Sequence, residues 1–211
     1  MNSRARSLCA IVALSAVAAA CNDSIAPGEM ATVEIRLQQT VFPVLDLDFV
    51  DTTLVVDRGA VSRLNVVVRD VQFLPADQAG NEADPTAWVP LGLTIPVMVD
   101  LTGLPTEDFS SLLLTSGEVA AGAYSNVRLL VSRSTITFGA EVDLSALFAY
   151  MVDSTYVVDV PGGDSTGLLT GRELAIDERS ETISLLFDAD STFVGVTATD
   201  SGVVNLLPVI R

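Results

Sequence analysis

The stretch Thr32-Val-Glu-Ile-Arg-Leu-Gln38 sets Val33, Ile35 and Leu37 alternately against Thr32, Glu34, Arg36 and Gln38. A period of two puts all three aliphatic side chains on one face of an extended strand, whereas a helix would spread them around its axis. The same alternation recurs along the chain. Leu45, Leu47 and Phe49 alternate with Asp46 and Asp48, and Leu64, Val66 and Val68 with Arg63, Asn65 and Arg69. Val67 makes that strand apolar on both faces. Ile95 to Leu101, Val127 to Val131 and Ile183 to Phe187 repeat the pattern. Turn formers separate the runs: DRG at 57–59, PGGDSTG at 161–167 and TDSG at 199–202. No stretch has helical period beyond one turn at Leu144–Tyr150. Short strands at regular spacing predict an all-β fold, an antiparallel Greek-key β-sandwich. The longest irregular segment, Pro75–Ala87, is polar and reads as a surface loop. With no internal repeat and no second composition regime, residues 32–211 read as a single domain.

The amino terminus has a different pattern. Arg4 and Arg6 precede a charge-free apolar run, Leu8–Ala20, that ends at Cys21. A bilayer-spanning helix needs roughly 20 apolar residues, so a basic start, a short apolar run and small residues before a cut read as a secretory signal. Ala18-Ala-Ala-Cys21 resembles the lipobox of bacterial lipoproteins, with Ala18 where the family's leucine stands. The resemblance implies that residues 1–20 are removed and that Cys21 becomes the lipidated first residue; the alternative is an ordinary secretory cut nearby, with Cys21 a free thiol. Cys9 would leave with the signal, so no disulfide framework is available and the core must hold the fold. Residues 21–31 then read as a short tether, reaching at most ~35 Å when extended. Asn22 follows the anchor cysteine, where aspartate would signal inner-membrane retention in some bacteria, so the expected location is the outer membrane.

Charge and missing residue types exclude more than any motif asserts. The chain has 11 Lys plus Arg, 27 Asp plus Glu and no His, and every one of the 11 cations is Arg. Removing Arg4 and Arg6 leaves 9 − 27 = −18. Such a surface repels phosphate backbones, so nucleic acid is excluded as a partner. Absence of histidine removes the Ser-His-Asp triad and imidazole metal ligation. Absence of lysine removes Schiff bases and the Walker A loop; PGGDSTG, though glycine-rich, is expected to be a hairpin turn. With Cys9 removed and Cys21 lipidated no free thiol remains, which removes cysteine nucleophiles and thiolate zinc. The expectation is that the chain is not an enzyme.

Two chemistries survive on carboxylates. Paired acids hydrolyse glycosides when they face each other at roughly 5–10 Å. Calcium takes six to eight oxygens, and Asp46, Asp48, Asp51, Asp188 and Asp190 are the candidate ligands, although no EF-hand spacing occurs. Plain strand-end and turn aspartates are the structural alternative. Asp177, Glu178 and Glu181 form another acidic group. Glycan binding through an aromatic platform would need Trp88, the only tryptophan. That residue follows a polar loop and precedes Val-Pro-Leu, and it is expected to pack at a strand start and be shielded.

WVPL at 88–91, VDLTGL at 99–104, VAAGAYSNVRLLVS at 119–132, LLFDADST at 185–192 and LLPVIR at 206–211 occur in that order. Over roughly residues 60–211 this resembles an uncharacterised domain-of-unknown-function family of bacterial lipoproteins. The matching positions are Gly122 and Tyr124 in a turn, Arg128 in the following strand, Asp188 in a Phe-Asp-Ala step and Pro208 in the closing strand. The resemblance implies a sandwich like the transthyretin or carboxypeptidase-regulatory modules, and no activity. Physically, Gly122 fits a turn that needs positive φ or close backbone approach. Tyr124 fits a tyrosine corner with its hydroxyl on backbone. Arg128 interrupts an apolar strand, and a cross-strand carboxylate, Asp188, is its expected partner.

Together these features predict a lipid-anchored, non-enzymatic cell-envelope module. Its expected partners are the membrane, through Cys21, and a protein or glycan. The alternatives are a calcium-stabilised adhesion or glycan-binding module and a carboxylate-dependent glycoside hydrolase.

Overall fold

The structure, a computed structural model, describes residues 25–39, 44–49, 52–57, 61–106, 110–138, 155–197 and 203–210. Of these, 44–49, 52–57, 61, 138, 189–197 and 203–210 are described by their backbone alone. The turn expected at Leu144–Tyr150 lies outside the described residues, as do Cys21 and Asp51.

Among the described residues, thirteen strands run in chain order: β1 (Met30–Gln39), β2 (Val44–Phe49), β3 (Thr52–Asp57), β4 (Val61–Pro75), β5 (Val89–Pro90), β6 (Val97–Asp100), β7 (Leu112–Ala120), β8 (Gly122–Phe138), β9 (Thr155–Asp159), β10 (Leu168–Leu169), β11 (Leu174–Ile176), β12 (Ser180–Thr197) and β13 (Val203–Ile210). Single 3-10 turns occupy Ala76–Gln78, Pro85–Ala87 and Leu101–Gly103. The all-β sandwich is as expected. One layer is built on β7–β1–β12 and the other on β6–β4–β8, and hydrogen bonding runs from one to the other through β13 and β9.

Pairing is mixed rather than antiparallel throughout. β1 and β2 both lie parallel to β12, and β9 lies parallel to β13. β1 sits between β7, antiparallel, and β12, parallel. Its alternation is therefore that of an interior strand, with Ala31, Val33, Ile35 and Leu37 all buried.

The inward faces of both layers make the core. Leu64, Val66, Val68, Val71 and Phe73 of β4 and Val127, Leu129, Val131 and Ile136 of β8 pack against Val33, Ile35 and Leu37 of β1 and Ile183, Leu185 and Phe187 of β12. The core-facing set changes parity along β4, from Leu64, Val66 and Val68 to Val71 and Phe73, and along β8 between Val131 and Ser134. Two adjacent bulges explain both changes. Register moves from Val67–Arg133 to Val68–Val131 to Asp70–Leu130, leaving Ser132 and then Arg69 as extra residues. Each bulge sets two residues against one on the partner, so the numbering of the inward set changes parity while the inward face is kept.

β9, β10 and β11 run one after another along the other edge of β8. They read as one strand interrupted twice, and the intervening backbone keeps touch through Val131 N–H to Gly163 O (2.6 Å) and Thr170 N–H to Val127 O (3.0 Å). PGGDSTG is thus a turn, as expected, but not a hairpin: it is an excursion between collinear strands. The amide groups of Ser165, Thr166 and Gly167 all donate to Gly162 O.

The segment expected as a tether is part of the domain over its described length. The Ile25 amide donates to Asp177 O, and Gly28 donates to Ala121 O, both at 2.9 Å. Ile25 belongs to the core.

Candidate functional site

Four residues brought together on the outer face of β4 and β8 were not legible as a group in the sequence. Arg128 stands between Val127 and Leu129, which point into the core, so its own side chain leaves by the opposite face. It is nonetheless only 3% exposed, because Trp88 covers it. The guanidinium carbon lies 4.1 Å from the centre of the Trp88 ring, a cation–π stack that holds the planar fork in place.

The fork's acceptors are neutral. Nε and Nη2 donate to Gln72 Oε1 at 2.9 and 2.7 Å, and Nη1 donates to Thr166 O at 3.2 Å. Gln72 is the register partner of Arg128. Its own amide passes the contact on, donating to Asp70 Oδ2 at 3.0 Å. The other oxygen of Asp70 accepts from the amides of Val71, Gly92 and Leu93 at 3.0, 3.2 and 3.4 Å, which ties the loop after β5 to β4. Burial lowers the Arg128 pKa, and the charge of Asp70 pulls the other way.

Trp88 is placed by what precedes it. Asp84 caps the 3-10 turn Pro85–Ala87 by accepting from the Thr86 amide and hydroxyl at 2.8 and 2.7 Å, and those bonds hold its own pKa low. The indole N–H donates to Glu82 O at 3.1 Å. At 5% exposed, Trp88 is shielded, as expected, and stands at the start of β5. It packs on the outer face, outside the central apolar cluster.

Beside this stack lies a groove of about 320 Å³. Its floor is Gln72, Arg128 and Leu130, and its walls are the loop at Glu82–Pro85 and the excursion at Asp164–Thr166. Arg69 donates to Asp164 O at 2.9 Å and holds that wall. Gly167 makes the close approach possible. Its φ is +74°, and a Cβ there would lie 2.9 Å from Leu129 O and 3.3 Å from Arg128 Cδ.

The other predicted residues fall elsewhere. Tyr124 is a tyrosine corner as expected: its hydroxyl donates to Ala120 O at 2.6 Å, four residues upstream. Its ring meets Phe73 edge-on at 5.5 Å and 63°, and burial raises its pKa. Gly122 is a correction. Its φ is not positive, and a Cβ would meet nothing within 4 Å, because the bend lies at Ala121 and Gly122 already pairs with Ile176 in a ladder. The expected Arg128–Asp188 pairing is also replaced. Asp188 is buried on β12 opposite Val209, while the fork of Arg128 is held by Gln72 and Thr166. Sequence could not have chosen between Asp188 and the Asp70–Gln72 relay, since the bulges set which residue faces Arg128.

Pro208 falls where the β12–β13 ladder breaks. Asp188 pairs with Val209, and the next pair is Phe193 with Leu207, so the position facing the break is one where a missing N–H costs nothing. Asp46 and Asp48 lie in register with Phe193 and Gly195; the side chains of these two acids and of Asp190 lie outside the described part. Among the described residues, no group of three or more His, Cys, Asp or Glu is placed to hold a metal ion.

The family model for a domain of unknown function, DUF4382, matches residues 44–208, beginning earlier than the resemblance read from the sequence and including every groove residue. No curated protein and no solved structure matches the chain.

Proposed function

This chain belongs to the DUF4382 family of domains of unknown function, and we propose that it is a lipid-anchored, non-enzymatic module of the bacterial cell envelope that binds a surface partner. The observation that carries this reading is the docked start of the chain. From Ile25 onward the backbone is fastened to the turns at Ala121 and Asp177, so only Cys21–Ser24 separate the anchor position from the folded body. Four extended residues reach at most ~14 Å. A lipid on Cys21 would therefore hold that end of the sandwich against the bilayer and present the groove on its flank. With −18 charges once residues 1–20 are removed, and no polybasic patch, attachment would rest on acyl chains, and two or more suffice. Asn22 favours the outer membrane. The transthyretin-like or carboxypeptidase-regulatory-like variant of the sandwich belongs to this proposal.

The polar face of β4 and β8 supports a binding rather than a catalytic role. Arg128, Gln72, Asp70 and Trp88 are held by hydrogen bonds to one another and to loop backbone, an arrangement that fixes the Arg128 fork, leaves two of its donors over and offers no poised acid–base pair.

Mass spectrometry of the native amino-terminal peptide tests the anchor: an acylated Cys21 is expected, and an unmodified one in the membrane fraction would reject it. Cys21→Ser should move the protein to the soluble fraction. Incubation with a panel of polysaccharides and esters tests the rest, with no turnover expected; measurable turnover would overturn the non-enzymatic reading.

A further inference from the structure

We propose that the groove over β4 and β8 binds a polyhydroxylated monocarboxylate of about monosaccharide size, with the Arg128 guanidinium as the group that recognises the carboxylate. The inference rests on the reading of the chain as a binding module and names its site and ligand class.

Three observations meet here. First, Arg128 is a buried cation without a carboxylate at ion-pair distance. Among the described residues the ion pairs are Arg36–Glu34, Arg63–Asp100 and Arg179–Glu29, and Arg128 reaches Asp70 only through the Gln72 amide. A buried charge facing neutral acceptors is electrostatically unfinished. Second, its fork is fixed and partly unused. A guanidinium has five N–H donors; three are engaged by Gln72 and Thr166, which leaves two on a residue that lines the groove. Stacking on Trp88 at 4.1 Å holds the plane, so a ligand meets a preorganised fork suited to a carboxylate. Third, the groove has the volume of a small-molecule site, about 320 Å³, against the usual range of roughly 300–1,000 Å³.

The walls choose among anions. Glu82 and Asp164 flank the groove, and their charges oppose a phosphate dianion more than a monoanion. They also supply acceptors for ligand hydroxyls, and Ser165 and Thr166 add hydroxyls and backbone. A single carboxylate on a ring of hydroxyls, the chemistry of a uronic acid, matches both the cation on the floor and the acceptors on the walls. The long-range repulsion of an acidic protein is damped at physiological salt, where the screening length is about 8 Å.

Trp88, the only tryptophan, is a built-in reporter. The full chain in detergent should be titrated at constant ionic strength with sodium glucuronate, glucose and inorganic phosphate while tryptophan emission is followed. A saturable change with glucuronate is expected, with none from glucose and a weaker one from phosphate. Arg128→Gln should raise the Kd at least about tenfold. Because that change can unsettle the fold, Ser165→Glu provides a second arm at an exposed wall position: it should weaken glucuronate binding and leave Tm unchanged. No saturable response from the folded wild type would overturn the site. An equal response to glucose would remove Arg128 as the recognising group, and an equal response to phosphate would remove the carboxylate assignment. Each of these outcomes leaves Cys21 acylation and the absence of turnover to be judged by their own measurements, so the site and the module reading fail separately.

Discussion

Tyr124 shows how much one side chain can commit. Its phenol crosses from β8 back to Ala120 O, closing the β7–β8 bend, while its ring meets Phe73 edge-on. Tyr124→Phe keeps the ring and removes the bond, and should cost about 1–2 kcal/mol. At roughly 2–4 °C per kcal/mol for a chain of this size, a thermal melt should show a fall of several degrees. The two glycines that flank the same strand should behave oppositely. Gly167→Ala forces a Cβ onto Leu129 O at a positive φ, and a loss of about 1 kcal/mol or more is expected in denaturant unfolding. Gly122→Ala meets open space at an ordinary φ and should be neutral or slightly stabilising. A large loss at Gly122 would show that the turn depends on it after all.

At the scale of elements, the paired bulges at Arg69 and Ser132 carry the architecture of the second layer. A strand can bury one face over 15 residues only if its period of two stays in phase with its partner. β4 and β8 both change phase at the same place, and so both halves of each strand face the core. The same device puts Gln72 and Asp70 on the outer face beside Arg128. Deleting Arg69 takes out the extra residue and leaves Val68 and Val71 two positions apart on one face, so the fold should survive. Deleting Asn65, which pairs in register with Thr135, should instead turn either Leu64 or Val66, Val68, Val71 and Phe73 outward, with loss of cooperative unfolding by circular dichroism. Equal melts for the two deletions would show that the position of the bulge does not matter.

Across the whole molecule negative charge prevails, and Glu181 feels it locally. Burial, then Asp177 and Glu178, raise its pKa above the usual 4.5, and its Oε2 has no hydrogen-bond partner. A raised folded pKa means the folded state holds the proton more tightly. The resulting stability is present below about pH 4.5 and is lost as pH rises through the folded value. At neutral pH the ionised carboxylate therefore works against folding. Glu181→Gln should raise Tm at pH 7, and the gain should shrink towards zero near pH 4. An equal gain at both pH values would point to packing instead of charge.

What could be read along the chain was local. Alternation in Val33–Leu37 and its repeats implied strands and a two-layer fold, since the period of two belongs to a single strand. Tyr124 was legible because its partner lies four residues away, and the shielding of Trp88 followed from the loop before it. Pairing belongs to two strands, and no periodicity encodes it. That β1 would lie parallel to β12, Thr32 against Ser180, had no signature in either segment. The partner of Arg128 was hidden for the same reason: two one-residue bulges decide whether Gln72 or some other side chain stands opposite. Strand identity comes from each segment's own alternation, while register, the docked amino-terminal segment and the Arg128 groove arise only when distant segments share one core.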